Sequence, residues 1–150
     1  MTRTGDGRTW LEHLGAEECW RLLSGTQVGR LGVIYDSAPE IYPVNHVVDE
    51  GTIVFRTDPG NKLHGLVRTP AVCYEVDAID PAAETGWSVL VKGHAAEVTD
   101  PDEQQRLDEL PLTFWSLGPK EHWIRITFDE VTGRRIWPFD SDSHPRRQDG

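Results

Sequence analysis

The chain has 150 residues, 37% of them hydrophobic, enough for one domain with a core of its own. Its 25 acids against 15 bases give a formal charge of −10, a field that disfavours nucleic acid and anionic membrane as partners. No apolar run reaches a membrane span, and MTRTGDGRTW lacks the apolar core of a secretory leader, so a cytoplasmic protein is expected.

The polar segments 1–10 and 138–150 are expected to be mobile, flanking one domain over 11–137. LGAEECWRLLSGT predicts a short helix over 15–24, closed by Gly25. QVGRLGVIYD, PEIYPVNHVVDEG and TIVFRTD are rich in Val, Ile and Tyr and separated by turn residues, which predicts a three-strand antiparallel meander. Pro59-Gly60 then turns the chain into a helix over 61–68, with Leu63, Leu66 and Val67 on its apolar side. AVCYEVDAID and GWSVLVKGHAAEVTD read as strands. DPDEQQRLDEL reads as a helix with an acidic first turn and an early Pro. EHWIRITFDEVTGRRIW reads as a strand, a turn at Thr132-Gly133 and a final short strand. Strands in runs, with three short helices, predict a mainly β (α+β) fold, a small barrel of six strands.

The chemistry concentrates in IVFRTDPGNKL. A strand ending in Arg56-Thr57, a Pro-Gly turn and a helix opening at Asn61-Lys62 offer unpaired helix N–H groups, a guanidinium fork, a hydroxyl and an ammonium. That set suits a phosphomonoester; the same pattern also fits a surface strand whose Arg and Lys pair with the abundant acids. In Tyr42-Pro43-Val44-Asn45-His46, the proline inside a strand signals an edge or a bulge that exposes backbone groups to a ligand. His46 is a weak candidate for a proton donor, and a packed histidine is the alternative. Gly86-Trp87-Ser88-Val89 offers a ring and a hydroxyl, or a core Trp beside a turn, and Trp115 sits in a Gly-Pro loop, usable over a ligand or as packing.

Walker, GxGxxG, GxSxG, HxxxH and HExxH patterns are absent, and Cys19 and Cys73 are isolated thiols, so no metal site is expected. No protein-borne catalytic set emerges, which leaves the chemistry to a cofactor.

The order VGRLGV, PVNHVV, IVFRT-x-x-G-x-K-L, VCYEVD, GWSVLVKGHA resembles the pyridoxamine 5′-phosphate oxidase-like flavoproteins, over about residues 12–137. The resemblance implies a six-stranded split β-barrel with short helices, a homodimer, and FMN in grooves at the subunit interface. It implies that Arg56, Thr57, Asn61 and Lys62 hold the FMN phosphate, and that Pro43, Val44, Asn45 and His46 line the isoalloxazine edge. It further implies that Trp87, Ser88 and Val89 approach from another strand and that Trp115 reaches over from the partner. Trp115, Trp123 and Trp137 are expected at the seam or inside the barrel. The family's substrate-gripping C-terminus, rich in Arg, Trp and Gly, is reduced here to Arg134 and Arg135, so oxidation of pyridoxamine phosphate is not expected. Nitroimidazole-reductase-like members are closer in length, but several carry His at the position of Arg56. The function expected is an FMN-dependent oxidoreductase of a small planar substrate. The alternatives are a non-catalytic flavin-binding or redox-sensing protein, or the same fold with a deazaflavin or with haem, the last using His46 or His94.

Overall fold

The structure is a computed structural model and describes residues 9–112 and 122–138. Within them the strands are β1 (Thr9–Leu14), β2 (Val28–Tyr35), β3 (Ala38–Asn45), β4 (Val47–Asp49), β5 (Thr52–Thr57), β6 (Ala71–Asp80), β7 (Thr85–Glu97) and β8 (His122–Pro138), with period-two burial clearest in β2, β6 and β7. Three short helices are interspersed: α1 (Ala16–Ser24), α2 (Asn61–Arg68) and α3 (Pro101–Asp108). All eight strands join one antiparallel sheet in the order β3-β2-β6-β7-β8-β5-β4, with β1 on the C-terminal half of β8. The two ends of that path, β3 and β4, are separated in sequence by His46 alone, so the sheet has to curl round on itself. The result is an open, curled half-barrel, mostly β, of the split-barrel type.

Three expectations change. The meander of three strands is divided: β2 pairs β3, but only the short β4 pairs β5, whose other edge is β8 through Ile53↔Ile126 to Thr57↔His122. β5 is buried on both faces, Ile53 and Phe55 in the main core and Val54 in a second cluster with Leu107 and Trp123 beneath α3. Burying both faces of β5 needs layers on either side of it, which a simple three-strand meander does not supply. Second, Thr132-Gly133 is no turn. β8 runs unbroken through it, and Gly133 lies between Val89 and Leu14, where a Cβ would stand 2.6 Å from the Cys19 sulfur. The glycine is there for close packing of α1 on the sheet. Third, the described residues hold eight strands rather than six. β1 begins at Thr9, so Thr9 and Trp10 are strand residues, while 1–8 and 139–150 lie outside the described residues.

The main core is formed by fully buried Leu31, Ile53, Phe55, Tyr74, Val76, Val89 and Val91. Each such side chain stabilises the fold by roughly 1.5–3 kcal/mol. α3 is fastened by charge. Arg106 forks onto Asp49 at 3.0 and 2.7 Å, and Arg125 bridges Asp49 and Glu103 at 3.0 and 2.6 Å. Hydrogen bonds from Arg106, seconded by Arg125, hold the buried Asp49 carboxyl below its usual range.

Candidate functional site

α2 opens at the end of β5, and its N-terminus differs chemically from the other two. α1 has Glu17 and Glu18 in its first turn; α3 has Asp102, Glu103 and the cap Asp100, which accepts from the Glu103 N–H at 3.2 Å. α2 has no acid in its first turn, and its cap Gly60 supplies no side chain. Its leading N–H groups and dipole therefore attract an anion that the other helices repel. The Lys62 ammonium stands over the Tyr42 ring at 5.5 Å and the Phe55 ring at 6.0 Å. Thr57 is fully buried at the end of β5 and donates its hydroxyl to the Asp58 carbonyl at 3.2 Å. Asn61 opens the helix; its side chain is outside those described. Helix amides, an ammonium and a glycine turn form a donor set that fits a phosphate group.

Arg56 does not join this set. It alternates with Phe55 and Thr57, so it leaves β5 on the opposite face. Its guanidinium lies 5.1 Å from the Trp123 ring and 3.8 Å from Asp108, the last residue of α3. Trp123 in turn donates its indole N–H to the same carboxylate at 2.7 Å. Adjacent positions that look alike as phosphate ligands are thereby divided between two layers. Tyr42 and Phe55, the rings flanking Lys62, were not singled out from sequence. For Tyr42 the alternation of β3 is the signal; β5 is buried on both faces and carries none for Phe55.

The Pro43 segment is an edge, as the proline predicts: β3 ends the sheet path, and Pro43 lies exposed opposite Arg30. Val44 is buried in the core and Asn45 is half-buried. His46 is 2% exposed, and both ring nitrogens are engaged inside the protein. Because the Leu23 carbonyl only accepts, Nε2 carries the proton donated to it at 3.1 Å; Nδ1 then accepts from the Tyr74 hydroxyl at 2.5 Å. The rings meet edge to face at 5.1 Å, and burial pushes the His46 pKa down. This is a locked, neutral histidine that joins β3, α1 and β6, not a proton donor facing a ligand. The expectation of His46 as a proton donor gains no support from this placement.

Trp87, Ser88 and Val89 lie elsewhere. Tyr42, beside Lys62, aligns through Leu31 and Tyr74 with Val91, so Trp87 is three strands away and four residues further along β7. That is roughly 14 Å round the sheet and roughly 13 Å along it. Val89 is fully buried and Trp87 packs half-buried against the same core, so Val89 offers a ligand no side chain. Ser88 faces outward between Asp77 and Arg134, in a cleft of about 460 Å³ walled by Leu11, Ile79, Trp87 and Ile136. In the same cleft Glu75 is pushed up to about 7, first by burial and then by Asp77, against the opposing pull of Arg30, which spans both carboxylates at 3.3 and 2.9 Å.

Trp115 lies outside the described residues. Trp123 is 3% exposed beneath α3 and fills the interior rather than a seam. Trp137 donates to Glu12 at 2.8 Å and carries Arg135 over its ring at 5.5 Å. Arg135 also binds Glu18 at 3.1 Å, whereas Arg134 lines the Ser88 cleft. Strong outward exposure belongs instead to Ile41, Ile79 and Val67, at 71%, 72% and 70%, so Val67 leaves the apolar side of α2 on which the sequence places it. No helix of the described residues is long and apolar enough to cross a membrane.

A family model described as pyridoxamine 5′-phosphate oxidase matches residues 15–135. An uncharacterized protein of Mycobacterium tuberculosis (strain ATCC 25618 / H37Rv) is 38% identical over 128 residues, covering 82% of this chain and 84% of its own. Solved structures that share the fold include the two that follow. A protein of Corynebacterium glutamicum, provisionally named a pyridoxamine 5′-phosphate oxidase, has 34% identity and a TM-score of 0.74 over 83% of this chain and 97% of its own. The FAD binding protein of Mycobacterium smegmatis has 37% identity and a TM-score of 0.68 over 85% and 98%.

Proposed function

The chain belongs to the pyridoxamine 5′-phosphate oxidase family, and from that premise we propose that it is a cytoplasmic flavoprotein that binds FMN and acts as an oxidoreductase on a small planar substrate. The observation that carries the reading is the N-terminus of α2, whose first turn holds no acid and whose cap is Gly60, with Lys62 in that turn, in a protein of net charge −10. Residues that hold the phosphate are the leading amides of α2, Lys62 and the Thr57 end of β5. The backbone of Pro43 to Asn45, on an edge strand, is open to the isoalloxazine ring. The flavin supplies hydride and electron transfer when bound; the protein binds it, orients it and excludes water from it.

The α2 end and the Trp87-Ser88 end lie apart along the sheet of one chain. A homodimer joins them, with the cofactor between the α2 end of one copy and Trp87, Ser88 and Arg134 of the other. The outward Ile34, Ile41 and Ile79, 38 to 72% exposed, are the apolar surface for that two-fold seam.

Absorbance of the freshly purified protein tests the cofactor. A visible flavin double band, with FMN identified by chromatography after denaturation, is the expected result; a colourless protein that takes up no added flavin refutes it. FAD in place of FMN is favoured by the FAD binding relative at 37% identity, and the same chromatogram separates the two. A non-catalytic flavin-binding role is favoured by the locked, buried His46. Anaerobic bleaching of the bound flavin by NADH or NADPH counts against that second role.

A further inference from the structure

We propose that self-association of this chain is proton-linked: Glu75 and Asp77, two carboxylates that share the Arg30 guanidinium on the outer face of the sheet, take up a proton when a second copy covers them. The inference rests on the homodimer proposed above and names what regulates it.

The face that β3, β2, β6, β7 and β8 turn away from the core carries Ile34, Ile41, Ile79 and Ile136, all exposed. No helix covers it among the described residues: α1 and α2 send Cys19, Leu23 and Leu66 into the main core, and α3 packs Leu107 behind β5. Arg30, Lys92 and Arg134 stand on this face against Glu75, Asp77, Glu130 and Asp129. With His94 neutral, that is one acid in excess, so nearly all of the net charge of −10 lies elsewhere. A second copy of this chain is repelled by the rest of the surface and not by this apolar, nearly balanced face. The excess acid sits at one place. Glu75 lies in register between Arg30 of β2 and Leu90 of β7, and Arg30 reaches Glu75 at 3.3 Å and Asp77 at 2.9 Å. One guanidinium therefore serves two carboxylates. The other groups facing the pair are Ser88 and Lys92 of β7 and, one strand further, Arg134 of β8 with His13 of β1 opposite it. Lys92 has Glu130 opposite, and His94 is engaged by Asp129 at 2.8 Å. In the single copy, burial and then Asp77 already push Glu75 up to about 7, against the pull of Arg30. A second copy removes more water from the pair, and a carboxylate without a counter-charge of its own is costly to dehydrate. A proton from solvent forms an O–H bond on one carboxyl and leaves the other to Arg30. Uptake on association makes the dimer tighter as pH falls.

The test is the dimer Kd of full-length protein as purified, read by sedimentation with fluorescence detection from nanomolar to micromolar at fixed ionic strength. A ten-fold gain in proton affinity at Glu75 in each copy, starting from about 7, tightens Kd roughly 25-fold between pH 8 and pH 6. Glu75→Gln and Asp77→Asn each remove the excess acid and keep its shape, and each should hold Kd within about three-fold over the same range. Either one carries the test should the other fail to fold. His94→Gln and His13→Gln, which delete the other proton-binding groups of this face, should each keep a shift of about ten-fold or more. A wild-type dimer whose Kd does not change with pH, or that stays intact at every pH and dilution, overturns the proton link and leaves the homodimer standing. A shift that survives in the Glu75 or Asp77 variant, or that vanishes in a histidine variant, overturns the assignment to this pair. Wild-type protein that is monomeric at every pH and concentration overturns the homodimer and this inference with it.

Discussion

Arg56 and Lys62 are six residues apart and chemically alike, yet the fold assigns them to different layers, and substituting each to alanine separates the two roles. Lys62→Ala removes the ammonium at the α2 N-terminus. A charge-assisted hydrogen bond contributes about 1.5–3 kcal/mol, so FMN affinity should fall roughly 10- to 150-fold with little change in stability. Arg56→Ala removes a half-buried guanidinium that stacks on Trp123 and lies 3.8 Å from Asp108. A ring–cation contact of about 0.5–2 kcal/mol and a partly exposed ion pair below about 1 kcal/mol give a loss of roughly 1–2 kcal/mol of stability. For a domain this size the urea midpoint should move down by roughly 0.5–1 M. FMN affinity should change by less than about three-fold, since the side chain leaves β5 on the face away from Lys62. Urea unfolding of apoprotein by circular dichroism and FMN titration by fluorescence measure both quantities. A tenfold loss of FMN affinity in Arg56→Ala at unchanged stability would refute the division of the two residues between faces.

Further outcomes follow from the buried polar groups and the close contacts. Tyr74→Phe leaves His46 Nδ1 buried without its donor and should cost roughly 1–3 kcal/mol by urea unfolding. Burial lowers the His46 pKa in the folded state, so the unfolded chain takes the proton more readily; this contribution to stability is lost as pH falls below about 6.5. Glu75 has the opposite sign: raised to about 7 in the folded state, it holds a proton that the unfolded chain has released, so its contribution falls as pH rises from 4.5 to 7. Urea midpoints of wild type and Glu75→Gln over that range should diverge, with the variant losing less stability toward neutral pH; parallel curves would refute the shift. Gly133→Ala drives a Cβ to 2.6 Å from the Cys19 sulfur and should cost roughly 1–3 kcal/mol, with Cys19→Ala in the same chain recovering part of the thermal midpoint.

Sequence by itself determined the elements whose signals are local. Asn61–Arg68 and Ala71–Asp80 are bounded as read, because Pro59-Gly60 and Thr69-Pro70 interrupt the periodicity on either side. The glycine turn and Lys62 that open α2 are local signals too, so the composition of that helix end was readable. What tertiary structure alone decided is which edges and faces meet. β1 (Thr9–Leu14) is a strand because Gly133–Pro138, over a hundred residues away, completes its ladder, and its mixed sequence TWLEHL carries no such information. Thr132-Gly133 carries the composition of a turn, but pairing of both residues with β7 and of Gly133 with β1, and the Cys19 sulfur against the glycine, hold it extended. Arg56 and Thr57 look like neighbours in one site until α3 covers one face of β5 and the barrel core the other. His46 is neutral and buried only because Tyr74 and Leu23, 28 and 23 residues distant, supply its two hydrogen-bond partners. Local propensity is encoded over a few residues. Pairing, facing and burial are settled by which arrangement covers the most apolar surface while leaving no buried polar group unpaired, and that is a property of the whole chain.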